Sequence, residues 1–319
     1  MMRTAALLMA LAVLPSGYAV AQTYPAKPVR IIVALAPGGG VDTTARIVGQ
    51  KLSEAWGQQV LIENRPGAGG TIAAEVVARA APDGYTLLVT SSGHASAASL
   101  YKLSYDAVAD FAPVSVIVVA PSVLVVHPSV PVHSVKELVA FAKARPNELL
   151  FGSSGNGSPA HMGLELLKLT TVIKMVHVPY KGTAPSITDL LAGRISATAS
   201  SVVSTMPHVN VGKLRALAVT SSKRSLGVPQ LPTVAEAGIP GFGNDVWYGL
   251  LAPAATPRNI VVKLSEGISS AITQPDVRER MLAGGLEPLG NTPDEFAAYL
   301  RTEVAKWSKV IREAGIRAD

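Results

Sequence analysis

From residue 29 to residue 220 the chain repeats one unit. A short β-branched run is followed by a loop of Gly, Pro and Ser and then by a segment with helical spacing. That alternation builds α/β layers, with largely parallel sheets faced by helices. The run at 29–35 reads as the first strand and ends in Pro37-Gly38-Gly39-Gly40. A helix capped by Asp42 follows, with Ala45, Val48, Leu52 and Ala55 spaced to form one buried stripe. Further strands are expected at 60–63, 85–91, 114–119, 123–126, 149–153, 175–178, 195–200 and 214–220. Helices are expected at 71–80, 135–144, 162–169 and 185–191.

Pro121 interrupts the two runs at 114–126, as at a sheet edge or a crossing between domains. After a Pro- and Gly-rich stretch at 229–243, a strand at 247–252 returns to the first half. Helices at 258–272 and 276–282 follow, and a last one opens at the capping box Thr292-Pro293-Asp294-Glu295 and closes at Gly315. The expected organisation is therefore one domain from residues 22–120 with 247–319 and a second from 121–246. Two backbone crossings join them, with a cleft between the lobes. In open sheets of this kind ligands sit beyond the carboxyl ends of strands, so the loops leaving those ends are the candidate site.

The first 21 residues read as an export signal. Arg3 supplies a positive end, an apolar run covers 5–14, and Ala19-Val20-Ala21 offers small residues for cleavage after Ala21. The run is too short to span about 30 Å of hydrocarbon. The chain has no cysteine, which removes disulfides, thiolate metal sites and a Cys nucleophile from consideration. Net charge is +6, with basic residues scattered singly. Nucleic-acid binding, which needs clustered Lys and Arg with interleaved aromatics, is not expected. The expected product is an exported, soluble monomer without cofactor or metal.

Three strand-end loops carry the candidate binding residues. In the first, Gly38, Gly39, Gly40 and Asp42 precede a helix N-terminus, where backbone N–H groups favour an anion. The spacing lacks the last Gly of a dinucleotide fingerprint and the Lys of a phosphate loop. A tight turn capped by Asp42 is the alternative. The second loop, with Ser154, Asn156 and Ser158, is dense in small polar groups, and His161 follows. It reads as a ligand loop or as a flexible surface loop, with a Ser158–His161 nucleophile pair as the enzyme alternative, though no Gly-x-Ser-x-Gly elbow is present. In the third, Tyr180, Lys181, Gly182 and Thr183 place a point charge and backbone donors together, unless Lys181 is a solvated charge. Ser92 and His94, after the strand at 85–91, are placed at the cleft rim, and Ser200 at another strand end.

In this order the loops resemble one family. The matching segments include Pro37-Gly38-Gly39-Gly40-Val41-Asp42 with Ala45-Arg46, Glu63-Asn64-Arg65-Pro66-Gly67 and Pro82-Asp83-Gly84-Tyr85. They continue with Ser154-Gly155-Asn156-Gly157-Ser158, His177-Val178-Pro179-Tyr180-Lys181-Gly182 and Trp247-Tyr248-Gly249. The chain resembles the substrate-binding proteins of tripartite tricarboxylate transporters, the Bug receptors. The resemblance implies a two-lobed periplasmic-binding-protein fold with two crossovers and a closing cleft. It further implies a small organic carboxylate held by backbone amides of the first and third loops, often through ordered waters, and delivered to membrane permease subunits. A sensor kinase is the alternative partner. The chain departs from the family pattern at Leu35, Val41 and Ala199-Ser200, where an aromatic, a Thr and an aromatic followed by Asp or Asn are usual. The stretch 167–177 is also short. These departures imply a ligand larger or more apolar than a common amino acid or citrate. Lys181→Ala is predicted to weaken acid binding, and an unchanged calorimetric affinity would place that lysine outside the site.

Overall fold

The structure is a computed structural model and describes residues 24–180 and 182–317. The signal segment and Lys181 lie outside the described residues. In chain order the elements begin with β1 (Val29–Val33), α1 (Gly40–Trp56), β2 (Val60–Asn64), α2 (Thr71–Ala78), β3 (Thr86–Ser91), α3 (Gly93–Leu100) and β4 (Phe111–Val119). After the first crossing come β5 (Ser122–Val126), α4 (Val135–Ala144), β6 (Leu150–Ser153), α5 (Pro159–Thr171), β7 (Val176–Pro179), α6 (Thr183–Leu191), β8 (Ala197–Ser201), α7 (Val202–Asn210) and β9 (Arg215–Val219). The chain then returns through β10 (Trp247–Pro253), α8 (Arg258–Thr273), α9 (Pro275–Ala283), β11 (Glu287–Pro288) and α10 (Pro293–Ala314).

Two sheets result, ordered β11-β4-β10-β3-β1-β2 and β7-β6-β8-β5-β9. They are mixed rather than largely parallel. β10 runs antiparallel to both β3 and β4, and β5 antiparallel to both β8 and β9. The reason is the crossing itself: a strand that enters a sheet from the other lobe arrives from the carboxyl-end side. In each sheet the parallel strands β1, β2, β3 and β6, β7, β8 keep the β/α rhythm, so their carboxyl ends share one edge.

Each sheet is covered on both faces. Ile31, Val33, Leu87 and Val89 meet α1 and α8, and Ile32, Leu88 and Leu251 meet α2 and α10. In the second sheet Leu124 and Val126 face α4 and α5, and Val123 and Val125 face α6 and α7. The α1 stripe is Val41, Ala45, Val48 and Leu52, and it ends on half-buried Trp56 rather than on Ala55, which is exposed. Trp247 is fully buried, edge-on to Phe296 at 5.3 Å between centroids.

The two crossing segments lie side by side. The Ala120 N–H donates to the Val246 carbonyl at 2.7 Å, and the Thr220 N–H donates to the Ser122 carbonyl at 2.8 Å. A second contact joins the lobes away from these crossings. α5 belongs to the second sheet by chain order, yet its Met162 is 2% exposed within the hydrophobic cluster that α10 closes in the first lobe. Asn244 Nδ2 holds the start of α5 by donating to the Pro159 carbonyl at 2.8 Å.

Buried histidines make this packing sensitive to acid. His94 is enclosed by Tyr105 and Phe111, and its Nε2 lies 2.9 Å from the Ala107 carbonyl. Burial depresses it to about 4. His161 and His177 stack at 3.8 Å, and burial together with the charges of His177 and Lys168 depresses His161 to about 3. Burial and Lys168 take His177 to about 4. The unfolded chain takes up these protons near pH 6.5, whereas the folded chain does not until pH 4 or below, so protonation favours unfolding across that window. The melting temperature is predicted to fall as pH drops from 6.5 to 4. The limiting slope is about 1.4 kcal/mol per pH unit for each histidine kept neutral. His94→Gln should flatten that slope, and a melting temperature constant from pH 7 to 4.5 would contradict the assignment.

Candidate functional site

A cavity of about 560 Å³ lies between the lobes, where the strand-end loops face each other. The first lobe contributes Leu35, Gly38, Gly39, Gly40 and Thr43 from the β1–α1 connection, Ser91 at the end of β3, and Tyr248 on β10. Across from them stand Ser154 before α5, Thr183 opening α6, and Ser200, Ser201 and Ser204 at the junction of β8 with α7. Gly284, Gly285 and Leu286, between α9 and β11, complete one wall. No Asp, Glu, Lys, Arg or His is among its described lining residues. The polarity comes from hydroxyls and main-chain groups.

The first turns of α1, α5, α6 and α7 all reach this lining. Only α5 has a side-chain cap, Ser158 Oγ accepting from the His161 N–H at 3.4 Å. α1, α6 and α7 begin at Gly39, Gly182 and Ser201 without one. The first N–H groups of a helix have no intrahelical partner, and the helix dipole adds partial positive charge there. Three uncapped N-termini around a cavity whose described lining carries no charged side chain offer an anion main-chain N–H groups and helix dipoles.

The β1–α1 turn is held from behind. The buried Asp42 carboxylate accepts from the Gly38 N–H, from Arg46 Nε and from Asn64 Nδ2, each at 2.9 Å. Asn64 Nδ2 also donates to the Leu35 carbonyl at 3.0 Å. Burial works to raise the Asp42 pKa, but hydrogen bonds from Arg46, Gly38 and Asn64 outweigh it and hold the carboxyl below its ordinary value. Gly38 adopts φ +82°, which a side chain would strain. Asp42 is therefore not the N-cap expected from the sequence. It sits in the first turn and points away from the cavity.

The second loop is braced in the same way. Ser153 Oγ accepts from the Gly155 N–H at 3.1 Å and stands 2.6 Å from His177 Nε2. The Gly157 N–H donates to His161 Nδ1 at 3.0 Å. His161 thus lies beneath the loop, with Nε2 3.7 Å from Glu165, and outside the cavity lining. Ser158 and His161 both spend their facing atoms on backbone partners, as loop braces rather than as a nucleophile and base.

Of the residues expected at the site, Gly38, Gly39, Gly40, Ser154, Thr183 and Ser200 line the cavity. Ser92 does not, lining instead a small crevice beside Met162 and Trp307, and its neighbour Ser91 takes the cavity position. His94 is packed in the first-lobe core rather than at the cleft rim. Tyr180 turns its hydroxyl to Asp189 at 2.8 Å, Gly182 donates to the Ser154 carbonyl at 3.3 Å, and Asn156 lies outside the lining. Among the departures from the family pattern, Leu35, Ala199 and Ser200 face the cavity, whereas Val41 enters the core.

Tyr248 was not singled out by the sequence, because a strand residue in an apolar run carries no site signal. Its hydroxyl would lie 2.7 Å from a Cβ placed on Gly40, so ring and glycine loop touch at the cavity wall. Burial pushes Tyr248 up to about 12, which keeps its hydroxyl neutral and able to donate.

Comparison with known proteins gives the family and the fold. Residues 44–316 fit the tripartite tricarboxylate transporter family receptor model. The chain belongs to that family. It is 39% identical over 300 residues to protein BugT of Bordetella pertussis, covering 93% of this chain and 92% of that one. Among solved structures it resembles Rhodopseudomonas palustris MatC with bound malate, at 35% identity and TM-score 0.75, covering 90% of this chain and all of that one. It also resembles R. palustris Rpa4515 with adipate, at 38% identity and TM-score 0.79, covering 92% of this chain and all of that one. The two-lobed architecture is that of periplasmic binding proteins, and family members are solute-binding proteins rather than enzymes. Among the described residues no helix is long and apolar enough to cross a membrane.

Gly40→Ala is predicted to displace the Tyr248 ring and weaken acid binding about tenfold, the worth of one hydrogen bond, while the fold is retained. Calorimetry with the tightest acid checks this. Unaltered affinity would separate that wall from the ligand.

Proposed function

We propose that this chain is an exported receptor that closes its two lobes on a small organic carboxylate. It then presents the closed form to the membrane permease subunits of a tripartite tricarboxylate transporter. The observation that carries this reading is the cavity ringed by the uncapped N-termini of α1, α6 and α7, with no charged side chain among its described lining residues. A carboxylate there accepts hydrogen bonds from main-chain N–H groups already oriented toward it, at little reorganisation cost. Groups from both lobes can meet one ligand only when the lobes are shut, so binding favours the closed state by the difference in contacts.

Leu35 and Ala199 in the wall reduce bulk where the family pattern has aromatic residues, and Ser200 removes charge or polarity where it has Asp or Asn. The ligand is accordingly an acid whose carbon chain contacts aliphatic wall, in keeping with the adipate and malate of the two solved relatives. Export places the mature chain in the periplasm, beginning at Gln22 after cleavage behind Ala21.

The test uses chain recovered from the periplasm, with its first residue read by mass spectrometry, in a thermal-shift screen of mono-, di- and tricarboxylates against neutral sugars and amines. At one hundred times its dissociation constant, the right acid adds about 2.7 kcal/mol to native-state stability. Shifts with sugars or amines, and none with acids, would overturn the carboxylate reading.

A further inference from the structure

A small side pocket of about 10 Å³ opens off the main cavity within the second lobe. It shares Ser154, Thr183, Ala199 and Ser200 with that cavity and continues inward to Ser186 and Thr198. Ser186 lies one turn into α6 and is 2% exposed. Its Oγ is buried and makes no hydrogen bond to any described protein group. Thr198 differs, because its hydroxyl donates to the Gly152 carbonyl at 2.7 Å. Ser186 Oγ packs against Gly152 of β6, where a Cβ would lie 2.5 Å from it.

A buried hydroxyl left unpaired costs about 1–3 kcal/mol, so its position calls for an oxygen or nitrogen from elsewhere. The space matches a single such atom, since about 10–15 Å³ of probe volume holds one water. Its described neighbours in the pocket are Ser and Thr hydroxyls, two alanines and Ile187, with no charged side chain among them. A carboxylate carbon and two oxygens exceed the room available. A single hydroxyl oxygen does not.

We propose that Ser186 floors a one-oxygen subsite that receives a hydroxyl of the ligand, so that the receptor prefers hydroxylated acids over their deoxy counterparts. This rests on the cavity being the carboxylate site proposed above. In the free protein a water holds the position, and the ligand hydroxyl displaces it on closure. Such a site discriminates because the deoxy ligand leaves Ser186 either unpaired or still hydrated, whereas the hydroxylated one pairs it.

Two matched pairs test this: malate with succinate, and 3-hydroxybutyrate with butyrate, titrated into the wild-type chain and into Ser186→Ala. The wild type should bind the hydroxylated member of at least one pair about tenfold more tightly. Ser186→Ala should bring that ratio close to one while its melting temperature without ligand stays the same or rises. A ratio that survives Ser186→Ala, or wild-type binding that favours the deoxy member in both pairs, overturns the subsite. A crystal structure of the wild type supplies the arm that does not depend on these acids. An oxygen within about 3.2 Å of Ser186 Oγ, from water in the free protein and from ligand in the complex, supports the assignment. An empty or carbon-filled pocket, or a water retained beside bound ligand, defeats it. Failure of every acid in the broader screen would instead strike the carboxylate reading.

Discussion

The buried Asp42 carboxylate is the interaction on which the first half of the cavity depends. Glycines at 38–40 give the β1–α1 turn a bare backbone, and a bare backbone by itself has many conformations to lose. Asp42, with Arg46 and Asn64, ties the Gly38 N–H and the Leu35 carbonyl to α1 and β2. Breaking one partner of such a buried charge is strongly destabilising, because the remainder is left uncompensated in low dielectric. The loop keeps its cavity-facing N–H groups oriented because the charge that fixes it is on the other side.

The second lobe reaches the same end with neutral groups. Ser153, His177 and His161 hold the loop at 154–158 through its backbone, and their burial keeps both rings uncharged. One lobe therefore presents a turn braced by a carboxylate, the other a turn braced by imidazoles. Neither brace enters the lining. Among the described residues the lining carries no formal charge, so their part in recognising an acid falls to helix ends and hydroxyls, whose strength grows as closure excludes water.

Much of this was legible in the sequence. The β/α rhythm, the crossing at Pro121, the return at Trp247 and the capping box at Thr292 appear close to where periodicity and turn chemistry put them. Two helices did not show. α3 reads Gly-His-Ala-Ser-Ala-Ala-Ser-Leu, with small residues on every side and no apolar stripe to count. α7 carries Pro207 within it and opens on a β-branched pair, both signals against a helix. At the site, the glycine and serine loops were visible because strand-end position and composition agree there. His94 and His161 were misplaced because polarity in a loop region does not distinguish a residue that faces ligand from one that holds the loop up. Tyr248 and Ser186 were invisible for the opposite reason: each looks like ordinary strand or helix interior until the fold shows what its hydroxyl faces.

Met162 assigns one helix to two masters. Chain order gives α5 to the lobe that holds Ser154, while packing gives its inner face to the lobe that holds Gly39. Any hinge motion that withdraws α5 from α10 must re-expose that thioether, at about 2 kcal/mol for a side chain of this size. The gap's resting width is then set in part by grease at its back rather than by anything at its mouth. Evolution could retune how tightly the receptor holds its cargo by exchanging a single aliphatic residue that the cargo never touches.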